Sequence, residues 1–332
     1  MTMHWITFLL TSTAIVLAGI KLASFGEALG ERSRIGQGWI GLLFLATITS
    51  IPELTTTVTG ATIGVPNIAL GNALGSNLFN VAIIAVMDIF LLGRGPFLRL
   101  VKPYHAASGG IAILLTVLVM LGITVAPNAA ILGVNPISFI ILFTYIAGVF
   151  LLYRIEKRDG GEAEGTKETM GLRRAIVGFC FSGGVIIVSG IFLIHASRAI
   201  AEETALSASF MGAILVAIAT SLPELATSIG ALKIKAYDMI IGNLFGSNMF
   251  NILTIFFADV AFRRGAIFAG LKDGVTDQLI LASLGIGITV IATTAIVYRS
   301  KRRVLGMGGD AALILIAYLV STCLIIYRGI HI

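Results

Sequence analysis

Glu53 and Glu224 are the residues of this chain best able to do chemistry, because each sits inside an otherwise apolar segment. An ionised carboxylate in the middle of a membrane span is costly unless it is paired or faces a polar cavity. The neighbouring apolar segments carry Lys or Arg only toward their ends (Lys21, Arg173, Arg174), not at mid-span where they could pair with them. Two such carboxylates together match the charge of one divalent cation, and hard oxygen ligands suit Ca²⁺, which takes about six to eight of them. Neutral oxygens lie close by. Thr49 precedes Glu53 by one helical turn, as Thr220 precedes Glu224, so each pair shares a helix face. Pro52 and Pro223 have no amide proton and free the carbonyls of Ile48 and Ala219. Non-helical backbone at membrane depth is tolerated where it lines a site, so broken helices around a cavity are expected here. A plain proline kink beside a neutral Glu would have to arise twice, at matching places.

The two glutamates belong to a repeat. Thr49–Asn80 aligns without a gap on Thr220–Asn251 at an offset of 171 residues, with 14 of 32 positions identical. The identities gather in T-S-[IL]-P-E-L and in G-N-x-x-G-S-N-x-F-N. Composition bias would match Leu and Ile, not Glu, Asn and Pro, so the repeat is specific. In the second block Asn72, Ser76 and Asn80 fall four residues apart and form a polar stripe, which Asn243, Ser247 and Asn251 repeat. Gly71, Gly75, Gly242 and Gly246 allow close helix approach. For Asn72 and Asn243, interhelical hydrogen bonding and ion ligation remain alternatives; for Ser76, Asn80, Ser247 and Asn251, ligation is the favoured reading.

These motifs need a membrane scaffold. The 332 residues are 57% hydrophobic and 12% charged, with a mean hydropathy of +0.99, which excludes an ordinary soluble domain. A span needs roughly 20 apolar residues. Hydropathy and breakers predict an all-α membrane protein with spans near 5–25, 38–63, 67–92, 105–124, 129–153, 173–197, 206–232, 238–262, 277–298 and 310–328. The charged stretch after the fifth span divides the chain into 1–153, a linker 154–172 containing Glu156 and expected to be a solvated tether, and 173–332. Seventeen Lys and Arg residues fall on the linker side and five on the other, so the linker is expected in the cytoplasm and both termini outside. Five spans per half force the halves into opposite senses, the inverted-repeat plan of many secondary transporters. The basic balance lies in the loops and does not suggest nucleic acid. Cys180 and Cys323, in apolar runs, suggest neither a disulfide nor a metal site. Asp88 and Asp259 pair under the offset near span ends, where interfacial partners such as Arg94 or Arg263 could satisfy them, so a structural role is favoured over one in an ion pathway. Trp5 and Trp39 look like interface anchors.

The paired motifs resemble the alpha-repeats of the cation/calcium antiporter superfamily, and within it the sodium/calcium exchanger branch with its prokaryotic members. The resemblance covers both motifs and, through the five-plus-five plan, the whole chain. It implies that Thr49, Glu53, Thr220 and Glu224 hold Ca²⁺. It further implies that Ser50, Ser76, Ser221 and Ser247, with the carbonyls of Ala46 and Ala217, serve Na⁺, and that Asn80 and Asn251 are auxiliary. Many such exchangers end the second motif with Asp, where this chain has Asn251, so two carboxylates stand in place of three. The expected function is Ca²⁺/Na⁺ antiport by alternating access, with the Gly-rich first and sixth spans (Gly19, Gly26; Gly178, Gly183, Gly184, Gly190) as the moving pair. Ca²⁺/H⁺ antiport is the nearest alternative. An intramembrane hydrolase is disfavoured by the lack of HExxH, of GxSxG and of an intramembrane His–Asp pair, and a passive channel would couple nothing. No cofactor is expected. The partners expected are the transported cations and the bilayer, with the plasma (inner) membrane the expected location, a monomer compatible with the plan and the oligomeric state open.

Overall fold

A computed structural model describes residues 2–33, 36–92, 95–125, 127–158, 170–203 and 219–330. It is almost wholly helical: α1 (Thr2–Ser33), α2 (Gln37–Thr49), α3 (Ile51–Thr62), α4 (Pro66–Phe90), α5 (His105–Thr124), α6 (Pro136–Arg158), α7 (Leu172–Glu203), α8 (Leu222–Lys233), α9 (Tyr237–Ala261), α10 (Val275–Tyr298) and α11 (Gly309–Ile330). Among the described residues, seven helices are long and apolar enough to span a bilayer, or eight with the bent pair α2–α3 taken as one. The apolar part of α11, Gly309–Ile325, is shorter. Much of the expected seventh span, with Ala217, lies outside the described residues.

Helices α4 and α9 form the centre. Their spans are the most buried of the set, and they carry the two G-N-x-x-G-S-N-x-F-N blocks. The lipid-facing helices expose large apolar side chains, including Phe143 and Phe150 on α6, Phe181 and Phe192 on α7 and Val297 on α10. A hydrocarbon solvent makes that arrangement stable, because what must be satisfied internally is polar backbone, not apolar surface.

Matching devices terminate matching helices. After α3, Val65 N–H bonds back to Gly60 O (2.9 Å), and after α8 Ala236 N–H bonds back to Ala231 O (2.9 Å). Each is the long-range bond of a left-handed helix cap, which puts one residue at positive φ. That residue is Gly64 (φ 82°) in the first case and Lys235 (φ 63°) in the second. A non-glycine there costs about 1 kcal/mol or more, so Lys235→Gly should raise the stability of purified protein by about 1 kcal/mol, read as a higher thermal-unfolding midpoint in detergent.

Asp88 and Asp259 are held mainly by backbone N–H groups; Arg263 makes no ion pair with Asp259, and Arg94, the arginine expected beside Asp88, lies outside the described residues. Asp88 accepts from Phe97 N (2.5 Å) and Gly308 N (2.7 Å). Asp259 accepts from Ile267 N (2.7 Å), Asn135 N (2.8 Å) and the Ser138 hydroxyl (2.6 Å). Each aspartate therefore pins a short 3₁₀ turn of its own half and a loop of the other half. Both are buried, so Asp259→Ala would leave three donors without a partner. A loss of about 3 kcal/mol is expected, seen as a lower unfolding midpoint.

Two further expectations change. The fifth span starts at Pro136 rather than near 129, because Ile131–Val134 makes a tight turn and the Asn135 side chain caps Ile137 N (2.9 Å). Glu156 is not part of a solvated tether: it is buried inside α6, accepting from Tyr104 Oη (3.0 Å) and Trp39 N (3.2 Å). The rest of the linker, 159–169, lies outside the described residues. Cys180 and Cys323 are free and exposed on the helix surface.

Candidate cation site

Helix α2 breaks where the sequence puts its proline. Ser50 leaves helical geometry (φ −92°, ψ 10°), and the chain turns by 46° before continuing as α3 with Pro52 in its first turn. Ser221 has the same conformation (φ −94°, ψ 6°) ahead of α8, with Pro223 in its first turn. Pro is favoured at a helix start, where its missing N–H costs nothing. The two breaks hold Thr49, Ser50 and Glu53, and Thr220, Ser221 and Glu224, all fully buried.

The hydrogen bonds cross between the halves. Ser50 Oγ donates to Glu224 Oε1 (3.0 Å) and Ser221 Oγ donates to Glu53 Oε1 (3.5 Å). Thr220 also reaches Glu53, and Thr49 reaches Glu224. Ser247 Oγ adds a third donor to Glu224 (3.2 Å). The Thr49 hydroxyl lies 3.3 Å from Asn243 Oδ1, 3.4 Å from Ser247 Oγ and 3.4 Å from the Ala46 carbonyl. That carbonyl also accepts Ser50 N–H (3.0 Å). Each glutamate thus accepts from the serine of the opposite motif.

Beside the carboxylates, α4 and α9 are joined by a carboxamide quartet, of which sequence reasoning singled out Asn80 and Asn251 and missed Asn77 and Asn248. Asn77 Nδ2 donates to Asn248 O (3.1 Å) and Asn248 Nδ2 donates to Asn77 O (3.3 Å). Asn80 Nδ2 donates to Asn248 Oδ1, and Asn251 Nδ2 to Asn77 Oδ1, both at 3.1 Å. The pattern is two-fold, since 77 pairs with 248 and 80 with 251 under the 171-residue offset. Its signal was the N of G-S-N, which repeats as strictly as the serine beside it.

Asn72 and Asn243 bind helix to helix. Asn72 Nδ2 donates to Glu53 O (3.2 Å) and Thr57 Oγ1 (3.0 Å), and Asn243 Nδ2 to Thr227 Oγ1 (3.0 Å). Among the expected site residues, five buried oxygens have no hydrogen-bond partner among the described residues: Glu53 Oε2, Glu224 Oε2, Asn80 Oδ1, Asn251 Oδ1 and Ser76 Oγ. Buried polar atoms are rarely orphaned without a reason. Four of these five are pure acceptors at equivalent points of the two motifs, a set chemically suited to a bare cation. No cluster of three or more His, Cys, Asp or Glu side chains occurs among the described residues, so neutral oxygens must complete any coordination shell here.

The glycine contacts show how tightly the surrounding helices meet. A Cβ on Gly19 of α1 would fall 2.7 Å from Ala226 Cβ on α8, and one on Gly230 of α8 would fall 2.7 Å from Ile20 Cα. On α7, Gly183 faces Ile48 and Gly190 faces Pro52, at the α2 break itself. Gly178 faces Phe25, which joins α7 to α1.

A model of the family described as sodium/calcium exchanger protein matches residues 3–155 and again 174–327. The chain belongs to the sodium/calcium exchanger family. Among its relatives, the protein named "Putative antiporter CaxA" of Alkalimonas amylolytica is 30% identical over 306 residues, covering 84% of this chain and 92% of that one. The inner membrane protein YrbG of Escherichia coli is 26% identical over 266 residues, covering 74% and 78%. The fold is similar to that of the sodium-calcium exchanger NCX_Mj soaked with Na⁺ and Sr²⁺, at a TM-score of 0.75 over 97% of this chain and 98% of that one. At 19% identity that likeness is one of fold. This exchanger-family member is therefore a multi-pass integral membrane protein of a cation/Ca²⁺ antiporter family, a family of transporters rather than enzymes.

Proposed function

We propose that the protein exchanges Ca²⁺ for Na⁺ by alternating access, at one site formed by Glu53, Glu224, Thr49 and Thr220. The observation that carries this reading is the symmetric set of buried oxygens on two glutamates that, among the described residues, have neither a hydrogen-bond partner nor a basic counter-charge. Two carboxylates neutralise one Ca²⁺, and threonine and asparagine oxygens extend the shell toward the six to eight that Ca²⁺ takes. Ser50, Ser76, Ser221 and Ser247, with the Ala46 and Ala217 carbonyls, would hold Na⁺ when Ca²⁺ leaves, and Asn80 and Asn251 would assist. Because the same carboxylates serve both ions, the site binds one kind at a time, and that exclusion is what couples the two fluxes.

The scaffold for this cycle is ten spans in two inverted repeats, 1–153 and 173–332, with the connection that follows α6 in the cytoplasm of an inner-membrane protein. Crossing hydrogen bonds such as Ser50 to Glu224 and Ser221 to Glu53 support that plan. Helices α1 and α7 would slide as a pair. Their glycine-lined contacts with α8 and with the α2 break give smooth, close surfaces.

A second reading keeps the site and changes the driver. Asn251 stands where many exchangers carry Asp, which leaves only two carboxylates, and two protons could discharge them as well as sodium could. The test is ⁴⁵Ca²⁺ uptake into proteoliposomes loaded with Na⁺, beside vesicles carrying only a pH gradient. Uptake that needs an outward Na⁺ gradient supports the sodium reading. Uptake that follows the pH gradient alone replaces it with Ca²⁺/H⁺ exchange. Uptake that needs neither gradient overturns antiport.

A further inference from the structure

Two loops that the 171-residue repeat does not bring into register are the same small device. Ile131–Val134 closes through Ile131 N to Val134 O (2.8 Å) and Val134 N to Ile131 O (3.1 Å). Arg303–Val304 pairs with Met307–Gly308, with Val304 opposite Met307. The two central residues are Leu-Gly in both, at positive φ in both: Leu132 54° and Gly133 84°, Leu305 52° and Gly306 85°. Leucine rarely adopts that conformation, because its Cβ crowds the backbone there. Both leucines are also almost completely exposed, at 97% and 96%. Two unfavourable choices, strain and exposure, coincide at the tip of each turn.

Neither turn hangs loosely. Asp259 holds the residue after the first through Asn135 N, and Asp88 holds the end of the second through Gly308 N. The second turn joins α10 to α11, whose outer faces expose Val297, Tyr298, Ile316, Leu319 and Val320 to lipid. It therefore lies at the membrane surface. The two turns differ in charge. Arg299, Lys301, Arg302 and Arg303 precede Leu305 and are exposed, whereas no charged residue lies between 125 and 138 around Leu132.

We propose that the segment Arg299–Gly308 is a docking site for anionic phospholipid, with Lys301, Arg302 and Arg303 on the headgroup phosphates and Leu305 inserted among the upper acyl carbons. Basic residues next to a span are drawn to an anionic leaflet, and long basic side chains reach the interface while their stems stay in apolar surroundings. Insertion also accounts for a strained leucine being retained at the tip: it places an apolar group at the outermost point of a rigid support. The uncharged Leu132 turn inserts in the same way and does not discriminate between headgroups, which makes it an internal control.

The chain has two tryptophans, so a Trp5→Phe, Trp39→Phe background allows a single reporter through Leu305→Trp or Leu132→Trp. In vesicles of phosphatidylcholine and phosphatidylglycerol, the reporter at 305 should emit at short wavelength. Lipid brominated on the acyl chain should quench it at least twofold more when the brominated species is phosphatidylglycerol. Lys301→Gln, Arg302→Gln and Arg303→Gln together should remove that preference, and the reporter at 132 should show none. A reporter at 305 that emits like water-exposed tryptophan and is quenched by aqueous iodide would overturn the proposal, as would equal quenching by both brominated lipids. A nitroxide attached at position 305 in a background lacking Cys180 and Cys323, read for accessibility to oxygen against a soluble nickel chelate, gives the same decision if the tryptophan variant does not fold.

Discussion

Glu224→Gln, and equally Glu53→Gln, should reduce Ca²⁺ uptake by at least about 100-fold while the purified protein stays folded. Losing even an outer-shell partner of a metal ligand typically costs about 10–100-fold, and these substitutions remove half of the charge assigned to the cation. Glutamine keeps the size of the side chain and can still accept from Ser50 and Ser247 at position 224, or from Ser221 at position 53. The fold should therefore persist, and with a buried charge removed the unfolding midpoint should hold or rise. Rate and stability would move in opposite directions, the mark of a residue kept for function. The measurement is initial ⁴⁵Ca²⁺ uptake beside a thermal melt of the same preparation. A glutamine variant with ordinary uptake would remove that carboxylate from the site.

Gly246→Val should have the opposite outcome, a protein that does not fold. The α2 and α9 backbones touch where they cross. A Cβ on Gly246 would stand 2.4 Å from Leu42 O, and one on Gly242 would stand 2.3 Å from Gly38 O. From the other side, a Cβ on Gly41 would stand 2.3 Å from Met239 O. These obstacles are carbonyl oxygens, which cannot swing away as a side-chain tip can. The crossing also contains the wide π-helical turn Ile40–Leu45, and it fixes Thr49 against Asn243 and Ser247. Overpacking commonly costs about 1–3 kcal/mol, and a valine against fixed backbone belongs at or beyond the top of that range. Size-exclusion chromatography of detergent extracts should show no monodisperse peak. Gly287→Ala on α10 is the contrast: its Cβ meets nothing within 4 Å, and alanine improves helix propensity by about 1 kcal/mol.

The parts of the site that were legible from sequence share a cause. Glu, Pro and Asn are so disfavoured in lipid-spanning helices that each occurrence carries information, and repetition at 171 residues doubles it. The break at Ser50, the burial of both glutamates and the close approach of Gly242 and Gly246 were readable that way, whereas Gly75, expected to do the same, meets nothing within 4 Å. The partners were not. Sequence offers Arg263 to Asp259, because it displays charges and hides backbone N–H groups, and backbone N–H groups are most of what that aspartate holds. Glu156 resembled tether because it follows Arg154 in a charged run, although its carboxylate turns inward to Tyr104 and the start of α2. Asn77 and Asn248 were within the repeated letters, but only their position at the α4–α9 crossing distinguishes a reciprocal clamp from one more polar residue. The twin Leu-Gly turns escaped because Leu132 and Leu305 lie 173 residues apart, just out of step with the motifs.

The central claim is that one pair of carboxylates holds either Ca²⁺ or its counter-ions, never both. Equilibrium ⁴⁵Ca²⁺ binding to purified protein, titrated with Na⁺ at fixed pH and then with protons at fixed Na⁺, tests it directly. The account predicts one Ca²⁺ per chain, displaced completely by Na⁺ or by acid with the midpoint rising as Ca²⁺ is raised, and no such site in Glu53→Gln or Glu224→Gln. Ca²⁺ that stays bound at saturating Na⁺ and low pH, or binds the glutamine variants as tightly, would contradict it.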